Sequence, residues 1–172
     1  LTDILLAFYE TKGYDKEKLV GGIGFDPIEK TLTKGKDTTE MLAIAPQLVE
    51  KLKDYPGIRC IMVHSETLSN SGAYVYQELG YALSWGKEYL EQLVNAGIDA
   101  DLAAKKIKFY MGIGGNYFME IAKFRAARLL WAQIVKQYEP KCDCSCQMCI
   151  NATTTTYNMT LFDSYVNMLR SQ

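Results

Sequence analysis

Four of the five cysteines in this 172-residue chain lie within eight positions, at Cys142, Cys144, Cys146 and Cys149. Clustered thiols can bind a metal, respond to oxidation, or pack as small apolar side chains. A zinc site usually pairs two cysteines with a second pair on a distant loop, and the one cysteine left for this is Cys60. In an extended chain the first three cysteines would share a face and Cys149 would point the other way. We therefore favour buried strand cysteines, with a redox-sensitive or metal-binding cluster as the alternative.

Two glycine-rich segments could bind phosphate groups. The segment GGIGFDP at 21–27 lacks the third glycine of a dinucleotide-binding turn, and Asp26-Pro27 would place a carboxylate at a helix start, where a phosphate would sit. The segment GIGGNYF at 112–118 has the order strand, glycines, capping Asn116 and helix, but no P-loop lysine or hydroxyl follows. We interpret both segments as tight turns that pack a helix against a strand.

The single histidine, His64, ends the apolar segment IRCIMVH. A histidine can act as a general acid because its unperturbed pKa is close to neutrality. No serine or cysteine elsewhere in the sequence marks an obvious catalytic triad with it. A structural role at the end of a strand is therefore the simpler interpretation.

The elements that must position these residues alternate along the chain. Apolar runs predict four buried strands, at 19–25, 58–64, 106–113 and 144–152. Helical patterns occur between and around them, at 2–11, 38–54, 72–96, 99–105, 116–137 and 159–170, with Pro46 expected to kink or divide the second. Alternating strands and helices predict an α/β fold with parallel strands and outer helices. A doubly wound sheet and a barrel segment both fit this order.

The bulk composition narrows the possible partners. With 48% hydrophobic and 23% charged residues, the chain has the composition of one globular domain. A net charge of -1 argues against nucleic acid or an anionic membrane surface as partner. No apolar run reaches the ~20 residues of a membrane helix, and no segment resembles a signal peptide. We therefore expect a cytoplasmic location.

The helix predicted at 116–137 has apolar residues around more than half of its circumference. A helix of this kind needs cover on more than one side. We expect it to pack on its own sheet and also against another chain or a further part of its own chain.

Several segments resemble one family. The segment GIGGNYFMEIAKFRAARLLWA at 112–132 is similar to a strand, turn and helix of the methylmalonyl-CoA mutase family. The segments 71–90 and 19–30 resemble the family's AGA…ELAYTLADGLEY helix and, more loosely, its GTIQNDILKE turn. The segment DSYVNMLR at 163–170 is closer to the small subunits than to the catalytic chains.

The resemblance implies a fold and a chemistry. In this family coenzyme A binds along the axis of a (β/α)8 barrel, and a separate domain binds adenosylcobalamin. The enzymes interconvert methylmalonyl-CoA and succinyl-CoA by radical chemistry. Residues 1–172 would supply about four of the eight units, since a full barrel takes roughly 250 residues. The resemblance thus implies a single partial TIM-barrel domain, a fragment of a larger subunit.

The chain departs from the family at the positions that bind substrate. A histidine within the family motif SGYHMQEAGA aligns with Thr67, and the glutamine two places later aligns with Ser69. A second histidine aligns with Asn151, and an arginine aligns with Lys34. Threonine and asparagine cannot donate a proton as a charged imidazole does, and lysine lacks the planar fork of arginine. These four residues are the degenerate substrate-binding positions, and no catalytic residue is assigned.

The resemblance then implies a non-catalytic small subunit that carries no cofactor. It would pair with a catalytic large subunit that binds adenosylcobalamin and coenzyme A. The alternative is a divergent acyl-CoA mutase barrel that still binds coenzyme A and uses His64, and a thiol or metal module at Cys142–Cys149 is a third hypothesis. Four strands cannot close a barrel, so we also expect self-association of the chain or an edge covered by the first helix.

Overall fold

The computed structural model describes residues 2–170, which form one parallel sheet with helices packed against it. The four strands are β1 (Gly21–Phe25), β2 (Ile58–His64), β3 (Ile107–Ile113) and β4 (Ile150–Thr154). The helices are α1 (Thr2–Lys12), α2 (Pro27–Lys34), α3 (Thr39–Leu42), α4 (Ala45–Lys51), α5 (Glu66–Asn70), α6 (Val75–Asn95), α7 (Ala100–Lys106), α8 (Tyr117–Lys136) and α9 (Val166–Arg170). Within residues 2–170, no helix has both the length and the apolarity needed to cross a membrane.

The strands lie side by side in chain order, β1-β2-β3-β4, and every neighbouring pair is parallel. Helices make each connection between consecutive strands. This arrangement confirms the predicted α/β fold and is consistent with part of a (β/α) barrel. Both edge strands, β1 and β4, have no neighbour on their outer side among the described residues.

The hydrophobic core lies between the sheet and the long helices α6 and α8. Phe109 of β3 meets the buried Trp131 of α8 edge to face, with ring centroids 4.8 Å apart. Gly86 of α6 makes room for this pair, because a Cβ atom there would overlap with Cζ of Phe109. Successive strand residues alternate in direction, so the opposite face of β3 carries Lys108 and Tyr110.

The prediction of a strand over 144–152 is wrong in its first half. Residues Asp143–Cys146 form a 3₁₀ turn, and β4 begins only at Ile150. The cause is Asp101 of α7, whose carboxylate accepts hydrogen bonds from the main-chain N–H groups of Lys141 and Cys142 and from the Ser145 hydroxyl. The first three cysteines of the cluster therefore do not line one face of a strand.

The cysteines occupy three different environments instead. Cys142 and Cys144 are exposed and joined by a disulfide. Cys146 and Cys60 are buried thiols, as expected for cysteine used as a small apolar side chain, and Cys149 is half-buried. Within residues 2–170, no group of three or more cysteine, histidine or carboxylate side chains is placed to hold a metal ion.

The predicted helices differ from the observed ones mainly at their starts. The 38–54 pattern is two helices, α3 and α4, and Pro46 lies in the first turn of the second, so it does divide the segment. The 72–96 pattern begins as a helix only at Val75, and the final helix is confined to Val166–Arg170. Helix α2 lies outside the predicted helices, although the predicted carboxylate at a helix start is confirmed. The Asp26 side chain accepts from the N–H of Glu29, and Pro27 is the first helical residue.

A buried lysine ties helix α7 to the segment that leads into β2. Lys106 is 1% exposed, and its ammonium donates to three main-chain carbonyl groups, at 2.7 Å, 2.6 Å and 3.0 Å, those of Leu52, Tyr55 and Ile58. Burial lowers the pKa of this lysine. The contact fixes the end of α4 against the amino-terminal end of the sheet.

We expect Lys106→Met to lower the free energy of unfolding by about 1–2 kcal/mol. Methionine fills a similar volume but leaves the carbonyl groups without this donor. Two of these carbonyl groups keep another hydrogen-bond donor. The N–H of Tyr55 donates to the carbonyl of Leu52, and the N–H of Ile58 donates to the carbonyl of Tyr55. Urea unfolding followed by circular dichroism measures the change, and Lys105→Met at the exposed neighbouring position is the control. An equal effect of both substitutions would contradict this role.

Candidate functional site

Polar side chains gather near the carboxyl ends of the strands, on the face opposite the core. The strand register aligns His64 with Tyr110, and Tyr110 with Asn151, so these three side chains form a row across β2, β3 and β4. The rings of His64 and Tyr110 stack with centroids 4.6 Å apart, and the Lys108 ammonium lies 5.1 Å from the Tyr110 ring centroid. This row faces the side that would be the interior of a barrel.

His64 is held by two neighbouring carboxylates. Its Nδ1 atom lies 2.8 Å from Oε1 of Glu66, and its main-chain N–H donates to Oδ2 of Asp26 at 2.9 Å. The hydrogen bond with Glu66 raises the pKa of His64, and partial burial opposes this rise. The imidazole is therefore oriented and biased toward its protonated form.

We expect His64→Gln to destabilise the fold in a pH-dependent way. The pKa of His64 is raised above its ordinary value of 6.5 in the folded state, so its contribution is full below that value and is lost as the pH rises through the folded pKa. The loss should be about 0.5–1 kcal/mol at acidic pH and close to zero at alkaline pH. Chemical unfolding across this range measures it.

The matched test of this pair is Glu66→Gln, which should show the same pH dependence. The double variant should be no less stable than either single variant, because the two changes remove one interaction. Additive losses would show that the two side chains act independently.

Asp26 is the second organised carboxylate near the strand ends. It is 3% exposed, and its Oδ1 accepts from the Tyr89 hydroxyl at 2.6 Å, from Nε1 of Trp85 at 3.1 Å and from the N–H of Glu29 at 3.1 Å. Burial raises the pKa of Asp26, and the hydrogen bond from Tyr89 opposes the rise. Asp26 thereby joins β1, the start of α2, the end of β2 and helix α6.

A buried cluster of charged side chains, Lys123, Glu78 and Glu120, packs against the glycine turn that follows β3. The Lys123 ammonium lies 2.7 Å from Oε2 of Glu78 and 2.6 Å from Oε2 of Glu120, and the side chains of all three are at most 8% exposed. The other oxygen of Glu78 accepts from the N–H of Gly112, and that of Glu120 from the N–H of Gly114. The cluster thus holds the turn in place at one side of a cavity of about 400 Å³, which lies between the start of α6 and the loops that follow β3 and β4.

The four degenerate family positions do not form one cluster. Thr67 and Ser69 lie on the short helix α5, and Ser69 is only 9% exposed because it packs against the backbone of Gly112. Asn151 is half-buried in the row on β4, whereas Lys34 is exposed at the last residue of α2. Within residues 2–170, no hydrogen bond or ion pair joins these four to one another.

Sequence reasoning missed the groups that organise this region. The sequence patterns assign no role to Glu120, Lys123, Glu78 or Tyr110. The available signal was the position of Lys123 inside the apolar stretch EIAKF, where a charge needs a buried partner. Its partner Glu78 is 45 residues away, which no local pattern reveals.

The fold and the site define an α/β chain of successive βα units, with its polar groups gathered at the carboxyl ends of parallel strands, as in enzymes of the (β/α) barrel class. The family model for methylmalonyl-CoA mutase matches residues 1–172. The chain therefore belongs to the methylmalonyl-CoA mutase family.

Individual relatives include both kinds of subunit. Over 99% of the chain, it is 43% identical to the methylmalonyl-CoA mutase small subunit of Porphyromonas gingivalis. It is 32% identical, over 97% of its length, to the large subunit of the same organism, and 33% identical, over 97%, to the small subunit of Streptomyces virginiae. The chain spans only 28%, 24% and 27% of these relatives' own lengths.

Proposed function

We propose that this chain is part of a non-catalytic small subunit of an adenosylcobalamin-dependent methylmalonyl-CoA mutase. Its role is to pair with a catalytic large subunit that binds adenosylcobalamin and coenzyme A. The observation that carries the proposal is the comparison within one organism: identity to the Porphyromonas gingivalis small subunit is 43%, against 32% to its large subunit.

The site residues support a non-catalytic role. Thr67 and Asn151 align with histidines of the active family members, and neither side chain can carry a proton as an imidazolium does. Ser69 is occupied in packing against β3. Lys34 is exposed at the last residue of α2, whereas Asn151 lies on β4.

The exposed apolar side chains support a partner. On α8, Tyr117, Phe118 and Leu129 are 71%, 79% and 62% exposed. Several large apolar side chains exposed on one helix are typical of a surface that another protein segment covers. We infer that residues 1–172 form one domain of a larger cytoplasmic subunit, whose remaining parts and large-subunit partner cover these side chains and the edges of β1 and β4. Self-association of the chain by itself would cover the same edges.

Co-expression with the large subunit of the same organism tests the proposal. We expect the two chains to co-elute as a stoichiometric complex in gel filtration, and we expect the bound corrin absorbance to remain with the large subunit after the complex is dissociated. Corrin absorbance on this chain alone, or failure of the two chains to associate, would contradict the proposal.

One observation favours a second candidate, a divergent acyl-CoA mutase barrel that binds coenzyme A. His64, Tyr110 and Asn151 form an ordered polar row on the inner face, with Lys108 beside it. Calorimetric titration with acyl-CoA tests this candidate. Binding that His64→Ala weakens, and that the distant Thr11→Ala leaves unchanged, would favour it over the non-catalytic role; no binding would remove it.

A further inference from the structure

The proposed role as a mutase subunit gives no function to the exposed disulfide between Cys142 and Cys144. The link joins residues only two apart, so it closes a very short loop and restricts the unfolded chain little. Both residues are exposed, on a turn at the amino-terminal end of β4. Stabilising the fold is thus a poor explanation for the bond, whereas its exposure gives small thiols access to both sulfur atoms.

The turn is held in shape by contacts that do not involve the bond. Asp101 accepts hydrogen bonds from the main-chain N–H of Lys141 at 2.8 Å, from that of Cys142 at 3.2 Å, and from the Ser145 hydroxyl. None of these contacts uses a sulfur atom, so reduction of the disulfide does not itself remove them. They keep the two thiols adjacent, which favours re-formation of their bond over pairing with another cysteine.

The two sulfur atoms differ in their surroundings. The main-chain N–H of Cys144 donates to the sulfur of Cys142 at 3.3 Å. A sulfur that accepts such a hydrogen bond is stabilised as a thiolate, and the thiolate is the attacking species in exchange. Cys142 is therefore the attacking cysteine and Cys144 the one that completes the bond.

A cationic cavity adjoins this turn. It has a volume of about 560 Å³, and its lining includes Arg128 and Lys136 of α8 and Asp143, the residue between the two cysteines. Both cations are exposed side chains, and no ion pair within residues 2–170 occupies either of them. The lining includes Asp143 between the two cysteines but neither Cys142 nor Cys144 itself, and the two cations outnumber the one carboxylate. The cavity can therefore hold a carboxylate of a small peptide thiol beside the turn that carries the disulfide.

We propose that Cys142 and Cys144 form a reversible dithiol–disulfide site that exchanges with anionic, low-molecular-weight disulfides of the glutathione class. In the oxidising direction, the Cys142 thiolate attacks one sulfur of the small disulfide, breaks its S–S bond and releases one thiolate. The Cys144 thiolate then attacks the mixed disulfide and releases the second small thiolate. The two protons lost by the cysteines are taken up by the two released thiolates, so one small disulfide is reduced as the protein disulfide forms.

Equilibration of the chain with glutathione buffers tests the site. After an acid quench, mass spectrometry of the 142–170 peptide measures the fraction of molecules that have lost two hydrogen masses. This oxidised fraction should rise from one tenth to nine tenths over an about 80-fold change in the ratio of oxidised glutathione to the square of reduced glutathione. A transition of that width is expected for one two-electron couple. Cys144→Ser should instead trap glutathione on Cys142, and Cys149→Ser should behave as the unsubstituted chain. Thiols that stay reduced throughout, or a disulfide that persists in Cys144→Ser, would overturn the proposal.

The cationic cavity has its own matched test. Replacing both Arg128 and Lys136 by glutamine should slow oxidation by oxidised glutathione about tenfold. The same variant should react unchanged with the uncharged bis(2-hydroxyethyl) disulfide. Equal rates of the variant and the unsubstituted chain toward oxidised glutathione would overturn the assignment of an anionic substrate.

Discussion

Replacing Lys123 by methionine is expected to lower the free energy of unfolding by about 3–5 kcal/mol, the largest single effect we predict. The Lys123 ammonium lies between the carboxylates of Glu78 and Glu120, and all three side chains are buried. Removing the cation leaves two like charges close together in a dry environment. Urea unfolding of the two proteins at neutral pH measures the difference.

The loss should depend on pH. Burial already raises the pKa of Glu78, and the hydrogen bond from Lys123 opposes this rise. Without Lys123 the pKa of Glu78 in the folded state rises further above its value in the unfolded state. The variant therefore becomes more stable as the pH falls through the folded pKa of Glu78, and less stable as the pH rises through it. The difference from the unsubstituted chain should therefore be smaller at pH 5 than at pH 7.5.

Lys87→Met provides the matched control. Lys87 pairs with Glu91 across 3.7 Å on the exposed side of α6, where about half of each side chain is accessible. Its loss should change stability by about 0–0.5 kcal/mol. Comparable effects of Lys87→Met and Lys123→Met would contradict a role for the buried cluster in holding the turn after β3.

The second large effect is expected for Asp26→Ala, which should cost about 3 kcal/mol. The carboxylate accepts four hydrogen bonds that connect β1, α2, β2 and α6, and alanine leaves the buried Nε1 of Trp85 and the Tyr89 hydroxyl without this acceptor. The main-chain N–H of His64 would lose its acceptor at the same time, so the His64 side chain would be held less firmly. Chemical unfolding and the near-ultraviolet circular dichroism of Trp85 measure both consequences.

Asp37→Ala is the control for Asp26. Asp37 also accepts from the backbone at a helix start, through the N–H of Thr39, but it is exposed. Its replacement should cost only about 0.5–1 kcal/mol. If Asp26→Ala cost no more than this, Asp26 would be an ordinary helix cap and not the organiser of the strand ends.

The sheet could be predicted well wherever a strand is a continuous apolar run. The prediction for β2 matches Ile58–His64, and that for β3 differs from Ile107–Ile113 by one residue, because both strands are covered on the core side and flanked by other strands. The prediction for β4 is wrong in its first half because Asp101, 40 residues before Lys141, holds the preceding segment in a turn. A contact of that range leaves no trace in local periodicity.

The candidate site was predictable in its residue types but not in its geometry. Motif alignment gave the substitutions at Thr67, Ser69 and Asn151. It could not show that Ser69 is buried against Gly112, because that depends on how α5 packs on β3. Likewise, Lys123 and Glu78 become partners only when α8 and α6 are brought together by the core.

Turnover assays with Thr67→Ala and Asn151→Ala test the central claim most directly. If the proposed function is right, a complex of this chain with a mutase large subunit should convert methylmalonyl-CoA to succinyl-CoA at a rate that both substitutions together change by less than about twofold. The chain alone with adenosylcobalamin should show no turnover. A fall of about 100-fold or more in the substituted complex, the size expected when a proton-transferring group is lost, or turnover by the chain alone, would contradict it.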